Sequence, residues 1–333
     1  MTKLGIGLLG AARITDKAVI DPVRVIPQCR LIAVAARDKV RADAFAQTHQ
    51  ISRVHETYDN VIASEDVDLI YNPLPIHLHA DWTIKALKAG KHVLCEKPFA
   101  MNTDEAAAML AASEASGKRL IEAFHYRYHP AFETCLDWLA ADEIGALKEI
   151  HAVFDVEIKD NGTEIRHRPE TGGGAMMDLG CYPLHWALSV MNEPPIGVSS
   201  SATLTPSGVD ESMAADLEFS SGVTAHLGTN MGSGAAFRAE LKLIGSRGEI
   251  TFVNPLAPHN PFVPGRLSSS RGRTAEISPI STYTFQLAAV KQALKTGASL
   301  PTEGEMIQRQ QTVLDAIYAH AGLRNLRYLS EQD

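Results

Sequence analysis

Over roughly the first 123 residues, short apolar and β-branched runs alternate with amphipathic stretches. That rhythm predicts repeated strand–helix–strand units and a parallel sheet. Strands are expected at 4–9, 31–36, 69–71, 91–95 and 119–123. Asp38 can cap a helix running through Thr48. Thr103 can cap another through Ser116, with Asp104 and Glu105 in its first turn, and Gly90 and Gly117 stand where helices should stop. After a helix at 130–141 the rhythm changes to strand following strand, at 147–158, 198–205, 214–220, 223–231, 239–244 and 249–253. Turn signals at Ser221-Gly222 and Ser246-Arg247-Gly248 separate neighbours, which predicts a mainly antiparallel sheet. The stretch 257–281 is rich in Pro, Ser, Gly and Arg and reads as a long surface loop, and helices return at 283–295 and 303–324.

The expected class is therefore α/β: a doubly wound parallel sheet over 1–123, then an α+β domain on a mainly antiparallel open sheet over 124–333, with the C-terminal helix able to pack back on the first domain. A length of 333 residues suits two domains, and 45% hydrophobic with 21% charged residues excludes a disordered or fibrous chain. The net charge of −8, with basic residues scattered singly, argues against nucleic acid as a partner. Apolar runs stop well short of the roughly 20 residues of a membrane span. Met1-Thr2-Lys3 leads straight into an apolar strand with no leader pattern, so the cytoplasm is expected. Cys29, Cys95, Cys135 and Cys181 lie far apart and read as reduced, buried thiols.

A literal G-x-G-x-x-G falls at Gly5, Gly7 and Gly10, but a phosphate turn follows the first strand, and Gly5 and Gly7 lie within it. The better reading is Gly10-Ala11-Ala12-Arg13-Ile14-Thr15. Gly10 makes the bend, Ala12 is small enough for close approach to a pyrophosphate, and the amides near Arg13 and Ile14 face it. The second strand ends in Ala36-Arg37-Asp38, where Arg37 can stack on adenine or grip a 2′-phosphate and Arg41 lies one helical turn on. Asp38 suits a helix cap as well as a ribose contact. NADP is favoured over NAD; the bland alternative makes Arg37 a solvated strand-end charge.

Gly90-Lys91-His92-Val93-Leu94-Cys95-Glu96-Lys97-Pro98 resembles the E-K-P signature of the glucose–fructose oxidoreductase, inositol dehydrogenase and MocA-like (Gfo/Idh/MocA) family. Gly172-Gly173-Gly174-Ala175-Met176-Met177-Asp178-Leu179-Gly180-Cys181-Tyr182-Pro183 resembles its second block, and Phe124 to Pro130 and Tyr283-x-x-Gln286 extend the similarity. The resemblance implies an N-terminal Rossmann domain and a second domain whose open sheet often mediates assembly into dimers or tetramers. Tyrosine at 182 places the chain nearer the dihydrodiol dehydrogenases, glucose–fructose oxidoreductase and NADP-linked xylose dehydrogenases than the inositol dehydrogenases. Pro73, Leu74, Pro75, His79, Glu96, Lys97, Arg127 and Tyr283 would lie around the cofactor, and Arg127 and Arg166 could equally form ordinary salt bridges.

Alcohol oxidation needs a hydride acceptor and a base for the hydroxyl proton. Lys97 follows a strand at the carboxyl edge of the sheet, and Asp178, Tyr182 and His185 share one helical face at i, i+4 and i+7. By family position Tyr182 exchanges the proton, Lys97 lowers its pKa or shares that proton, and Asp178 orients a substrate hydroxyl. Pro183 is expected to bend the helix there. His77, His79, His125 and His129 cluster in sequence, but no carboxylate or cysteine recurs at ligand spacing around them, so no metal site is read. Together these features predict an NAD(P)-dependent oxidoreductase acting on a sugar, polyol or cyclic diol. A cofactor-binding sensor and an NAD-dependent glycosidase of the same fold are the alternatives.

Overall fold

In the computed structural model, which describes residues 3–323, the apolar runs of the first third become six parallel strands. β1 (Leu4–Leu9) leads through a helical turn into α1 (Asp21–Val25), followed by β2 (Cys29–Ala35), α2 (Lys39–His49), β3 (Arg53–Val54) and α3 (Tyr58–Ile62). Then come β4 (Leu69–Asn72), α4 (His79–Lys88), β5 (His92–Cys95), α5 (Thr103–Ser116) and β6 (Leu120–Glu122). The strand order β3-β2-β1-β4-β5-β6 reverses direction between β1 and β4, the crevice position at which doubly wound sheets bind ligands. Ile6 and Leu8 face one apolar layer with Tyr71, Leu94 and Ile121, whereas Leu9 faces the other with Val61, Ile70 and Phe99. The helix expected to start from Thr103 is instead capped by Asn102, whose side chain accepts from the Glu105 N–H at 2.9 Å. Asn and Thr are both good caps, so the shift is one residue.

The chain divides into two compact units. Residues up to His125 together with Tyr283–Gln308 make the first, and Tyr126–Thr282 with the residues from Arg309 make the second. Thus most of α8 (Thr282–Thr296) belongs with the parallel sheet, where Leu287 and Val290 join the layer of Ile6 and Leu8. The other helix of the C-terminal region, α9, spans Glu305–His320, and its expected end at Arg324 lies outside the described residues.

In the second unit α6 (Pro130–Ala140), β7 (Leu147–Asp155) and α7 (Cys181–Met191) precede β8 (Gly197–Leu204), β9 (Asp210–Glu218), β10 (Thr224–Asn230), β11 (Arg238–Gly245), β12 (Glu249–Val253) and β13 (Arg266–Ser269). They form a seven-stranded sheet in the order β13-β12-β11-β7-β10-β9-β8. Every pair is antiparallel except β7 with β10. The stretch expected to be wholly loop contributes β13, which pairs with β12 and brings Leu267 opposite Phe252. All four cysteines are buried and none is in a disulfide, and no helix among the described residues is long and apolar enough to cross a membrane.

One anchor fixes the start of α7's leading turn. Asp210, 1% exposed, accepts from the Met176 N–H at 2.6 Å and the Tyr318 hydroxyl at 2.7 Å. A Cβ on Gly174, whose φ is +125°, would stand 2.0 Å from that carboxylate, so only glycine lets the chain pass. Gly174→Ala is expected to destabilise the protein by at least about 2 kcal/mol in urea unfolding, whereas Gly162→Ala, at a positive φ in open space, costs less. Equal losses would contradict a steric role for this anchor.

Candidate active site

In the first unit the turn after β1 begins at Gly10, whose φ of +100° requires glycine and whose N–H donates to Ala35 at 2.7 Å. Ala12, Arg13 and Ile14 follow before the helical turn, with Arg13 exposed and Ala12 and Ile14 half-buried. Gly5 and Gly7 lie inside β1, where a Cβ on Gly5 would meet the Asp66 carbonyl at 1.9 Å. Those two glycines serve sheet packing. Asp38 caps α2, accepting from the Arg41 N–H at 3.2 Å, and the Arg41 guanidinium donates to the Ala11 carbonyl at 2.5 Å within the turn. Arg37 is exposed at the strand tip, and both arginines face Tyr58, a residue the sequence reading did not single out. Burial raises the Tyr58 phenol while these cations oppose the shift.

Beside that turn, Pro73, Leu74 and Pro75 leave the end of β4. The His79 ring, 1% exposed, staples this loop to the E-K-P loop: Nε2 lies 2.7 Å from the Leu74 carbonyl and Nδ1 3.1 Å from that of Pro98. Burial pushes its pKa down to about 4. With its ring nitrogens on backbone carbonyls, His79 holds the two loops together. The Lys97–Pro98 peptide is cis. Glu96 accepts from the Tyr71 hydroxyl at 2.8 Å, and the electrostatic neighbours of the buried Glu122 include both Glu96 and Lys97. Burial raises the Glu122 carboxyl well above the ordinary carboxylate range, and the Glu96 charge raises it further. Tyr283 stacks on His125 with centroids 3.8 Å apart, and its phenol is pushed up by burial and then by Glu96. The Thr15 hydroxyl, the Gln286 amide and one oxygen of Glu122 are among the polar atoms of this unit that are buried without a hydrogen-bond partner among the described residues.

In the second unit the Met176–Gly180 turn is a wide π turn leading directly into α7. A Cβ on Gly180 would lie 2.4 Å from the Met176 sulfur, so a larger residue here requires the Met176 side chain to move. Pro183 falls in the first turn of α7, where a missing N–H is tolerated, and the chain absorbs the irregularity in the π turn before it. Asp178 accepts from the Arg166 Nε at 2.7 Å, and Arg166 also pairs with Glu164 at 2.8 Å. The Asp178 carboxylate raises the Arg166 guanidinium pKa above its ordinary value. Tyr182, 4% exposed, sits among the rings of Tyr126, Phe154 and Trp186 at 6.2, 5.8 and 6.4 Å. His185 is fully buried, and its Nδ1 contacts the Tyr126 hydroxyl. Burial lowers its pKa well below the usual histidine value, with the Arg127 charge second. Arg127 pairs with Glu133 and lies 5.3 Å over the Phe132 ring.

The structure thus gathers Glu96, Lys97 and Tyr283 in one unit with the turn residues, and Asp178, Tyr182, His185 and Arg127 in the other. Glu122, Tyr58 and Asp210 escaped the sequence reading. For Glu122 the signal was an acid inside the apolar run Leu120-Ile121-Glu122-Ala123; for Asp210, at a strand end, there was none. Because Glu122 binds its proton more tightly folded than unfolded, its contribution is present at low pH and fades as pH rises from about 4.5 through the raised folded value. Glu122→Gln should therefore gain stability relative to the parent between about pH 5 and about pH 8, by about 3 °C or more in thermal midpoint. A pH-independent difference would contradict the protonated state.

The family model described as "Oxidoreductase family, NAD-binding Rossmann fold" matches residues 4–124, and the GFO/IDH/MocA C-terminal domain matches 132–251. The chain is 33% identical over 318 residues to the D-xylose 1-dehydrogenase (NADP(+)) 2 of Haloferax volcanii, covering 95% of this chain and 96% of that one. It is 35% identical over 217 residues to the trans-1,2-dihydrobenzene-1,2-diol dehydrogenase of Xenopus tropicalis, covering 64% and 65%. Among solved structures, KijD10, a 3-ketoreductase from Actinomadura kijaniata in complex with NADP and TDP-benzene, superposes with a TM-score of 0.85 at 25% identity, over 96% of this chain and 98% of that one. With both domain models matched in order and a relative aligned nearly end to end, the chain belongs to the GFO/IDH/MocA oxidoreductase family.

Proposed function

We propose that this protein is an NADP-dependent oxidoreductase acting on the CH–OH carbon of a sugar, polyol or cyclic diol, or on the matching ketone in reverse. The observation that carries the cofactor choice is the tip of β2. The Asp38 carboxylate that could hold a ribose 2′-hydroxyl is committed to capping α2, while Arg37 and Arg41 bring two cations beside the Gly10 turn. A small-residue turn at the switch point, a buried Thr15 hydroxyl and arginines at the strand tip fit a phosphorylated dinucleotide. The names of the relatives agree: an NADP-linked xylose dehydrogenase and a ketoreductase crystallised with NADP.

NADP, when bound, supplies the hydride acceptor at nicotinamide C4, and its reduced form the donor. Gly10, Ala12, Arg13 and Ile14 would hold the pyrophosphate, and Arg37 and Arg41 the 2′-phosphate. Pro73, Leu74, Pro75 and Glu96 would line the rest of the dinucleotide site, with Tyr283 and Arg127 also assigned to it. Tyr182 exchanges the proton of the reacting hydroxyl. Lys97 contributes the positive charge that eases this exchange, and Asp178, oriented by Arg166, accepts from a substrate hydroxyl. His185, buried and neutral, positions the Tyr126 ring against which Tyr182 packs. Four buried thiols outside any disulfide suit a reducing compartment such as the cytoplasm, and the open face of the seven-stranded sheet suits a homodimer or homotetramer.

Absorbance at 340 nm tests the reading directly, with NADP⁺ or NADPH against aldoses, polyols, cyclic diols and keto-sugars. Turnover with one substrate class is expected, and Arg37→Ala should weaken NADP about tenfold more than NAD. No turnover in either direction across the panel would overturn the function, and equal losses for the two cofactors would overturn the role of Arg37.

A further inference from the structure

The seven-stranded sheet carries a cluster of side chains of metal-ligating type, separate from the residues assigned above. Glu149 and His151 stand two apart on β7 and so point to the same face. His226 lies directly opposite His151 across the parallel β7–β10 pair, and Asp216 lies opposite His226 across the β9–β10 pair. One ligand atom from each of Glu149, His151 and His226 lies within 4.8 Å of the others, and the two imidazole rings are 4.7 Å apart. No alignment of helical or loop residues is needed, because the ladder register sets the arrangement.

We infer that this row binds one divalent transition-metal ion of the zinc, cobalt or nickel type through His151, His226 and Glu149. Imidazole paired with carboxylate suits those ions rather than calcium or magnesium, which prefer all-oxygen shells. Asp216 accepts from His226 Nδ1 at 2.7 Å, which fixes the ring and leaves Nε2 as the donor to the metal. Between His151 Nε2 and Glu149 Oε2, now 2.9 Å apart, a metal takes the place of the shared proton, since each metal–ligand bond is about 2 Å. Lys242, opposite His151 on β11, is the nearby opposing charge, and it is paired with Glu249 at 2.7 Å. Three protein ligands leave a fourth position for water. Such an ion would tie β7 to β10, the one parallel pair in this sheet and so the less strongly bonded kind of ladder.

The test is titration of the chelator-treated, tag-free full chain with Co²⁺, followed by visible absorption, and with Zn²⁺ in competition. The expected result is one equivalent bound, with a rise in thermal midpoint. His226→Ala and His151→Ala should abolish both signals, and Asp216→Asn should weaken binding about tenfold. All of these side chains are partly or fully exposed, so the variants should keep the parent circular dichroism. Absence of binding by the parent, or binding unchanged in the two alanine variants, would overturn the site.

Discussion

Desolvation of acids and bases at the ends of buried strands is the constraint on which the chemistry of this protein depends. Lys97 leaves β5 beside two carboxyls that the fold treats differently. Glu96 is held by the Tyr71 hydroxyl, while Glu122 lies so deep that burial favours its protonated form. One of the two acids beside the ammonium is therefore neutral. The same rule governs α7. His185 is kept neutral by burial, and Tyr182 stands among aromatic rings with 4% of its surface exposed. Polar groups in such places act strongly on any charge that develops near them, because little water screens it.

Rigid anchors make those positions reproducible. Asp210 holds the N–H of Met176 and the Tyr318 hydroxyl, and Gly174 is the residue that lets the chain slip past that carboxylate. The wide turn at Met176–Gly180 then sets the phase of α7. In the first unit His79 performs the equivalent task by joining the loop after β4 to the one after β5. Arg119, paired with Glu303 and donating to the Ala298 carbonyl at 2.7 Å, ties the start of β6 to the segment after α8. These contacts touch no reacting group. They decide where the reacting groups can be.

Much of this was legible in the chain. Period and turn chemistry located β1 and β12 to the residue and brought the other long strands within a few residues, because a half-buried strand must alternate and a parallel one must run apolar. That the turn after the first strand begins at Gly10, and not at Gly5, was also readable, since Gly5 and Gly7 fall inside a strand. Short elements were not: β3 has two residues and β13 four, too few for any period to show. Asp210 and His226 were invisible for another reason. Their roles arise from cross-strand register, a relation between segments distant in sequence.

The proton chemistry assigned to Tyr182 is tested most directly by Tyr182→Phe, with NADP binding and turnover measured on the same preparation. The ring packing survives this change and only the hydroxyl is lost. NADP affinity should stay within a few fold while kcat falls by roughly 10²–10⁴, the range expected for a missing acid–base group. Unchanged turnover would contradict a role for that hydroxyl in the reaction.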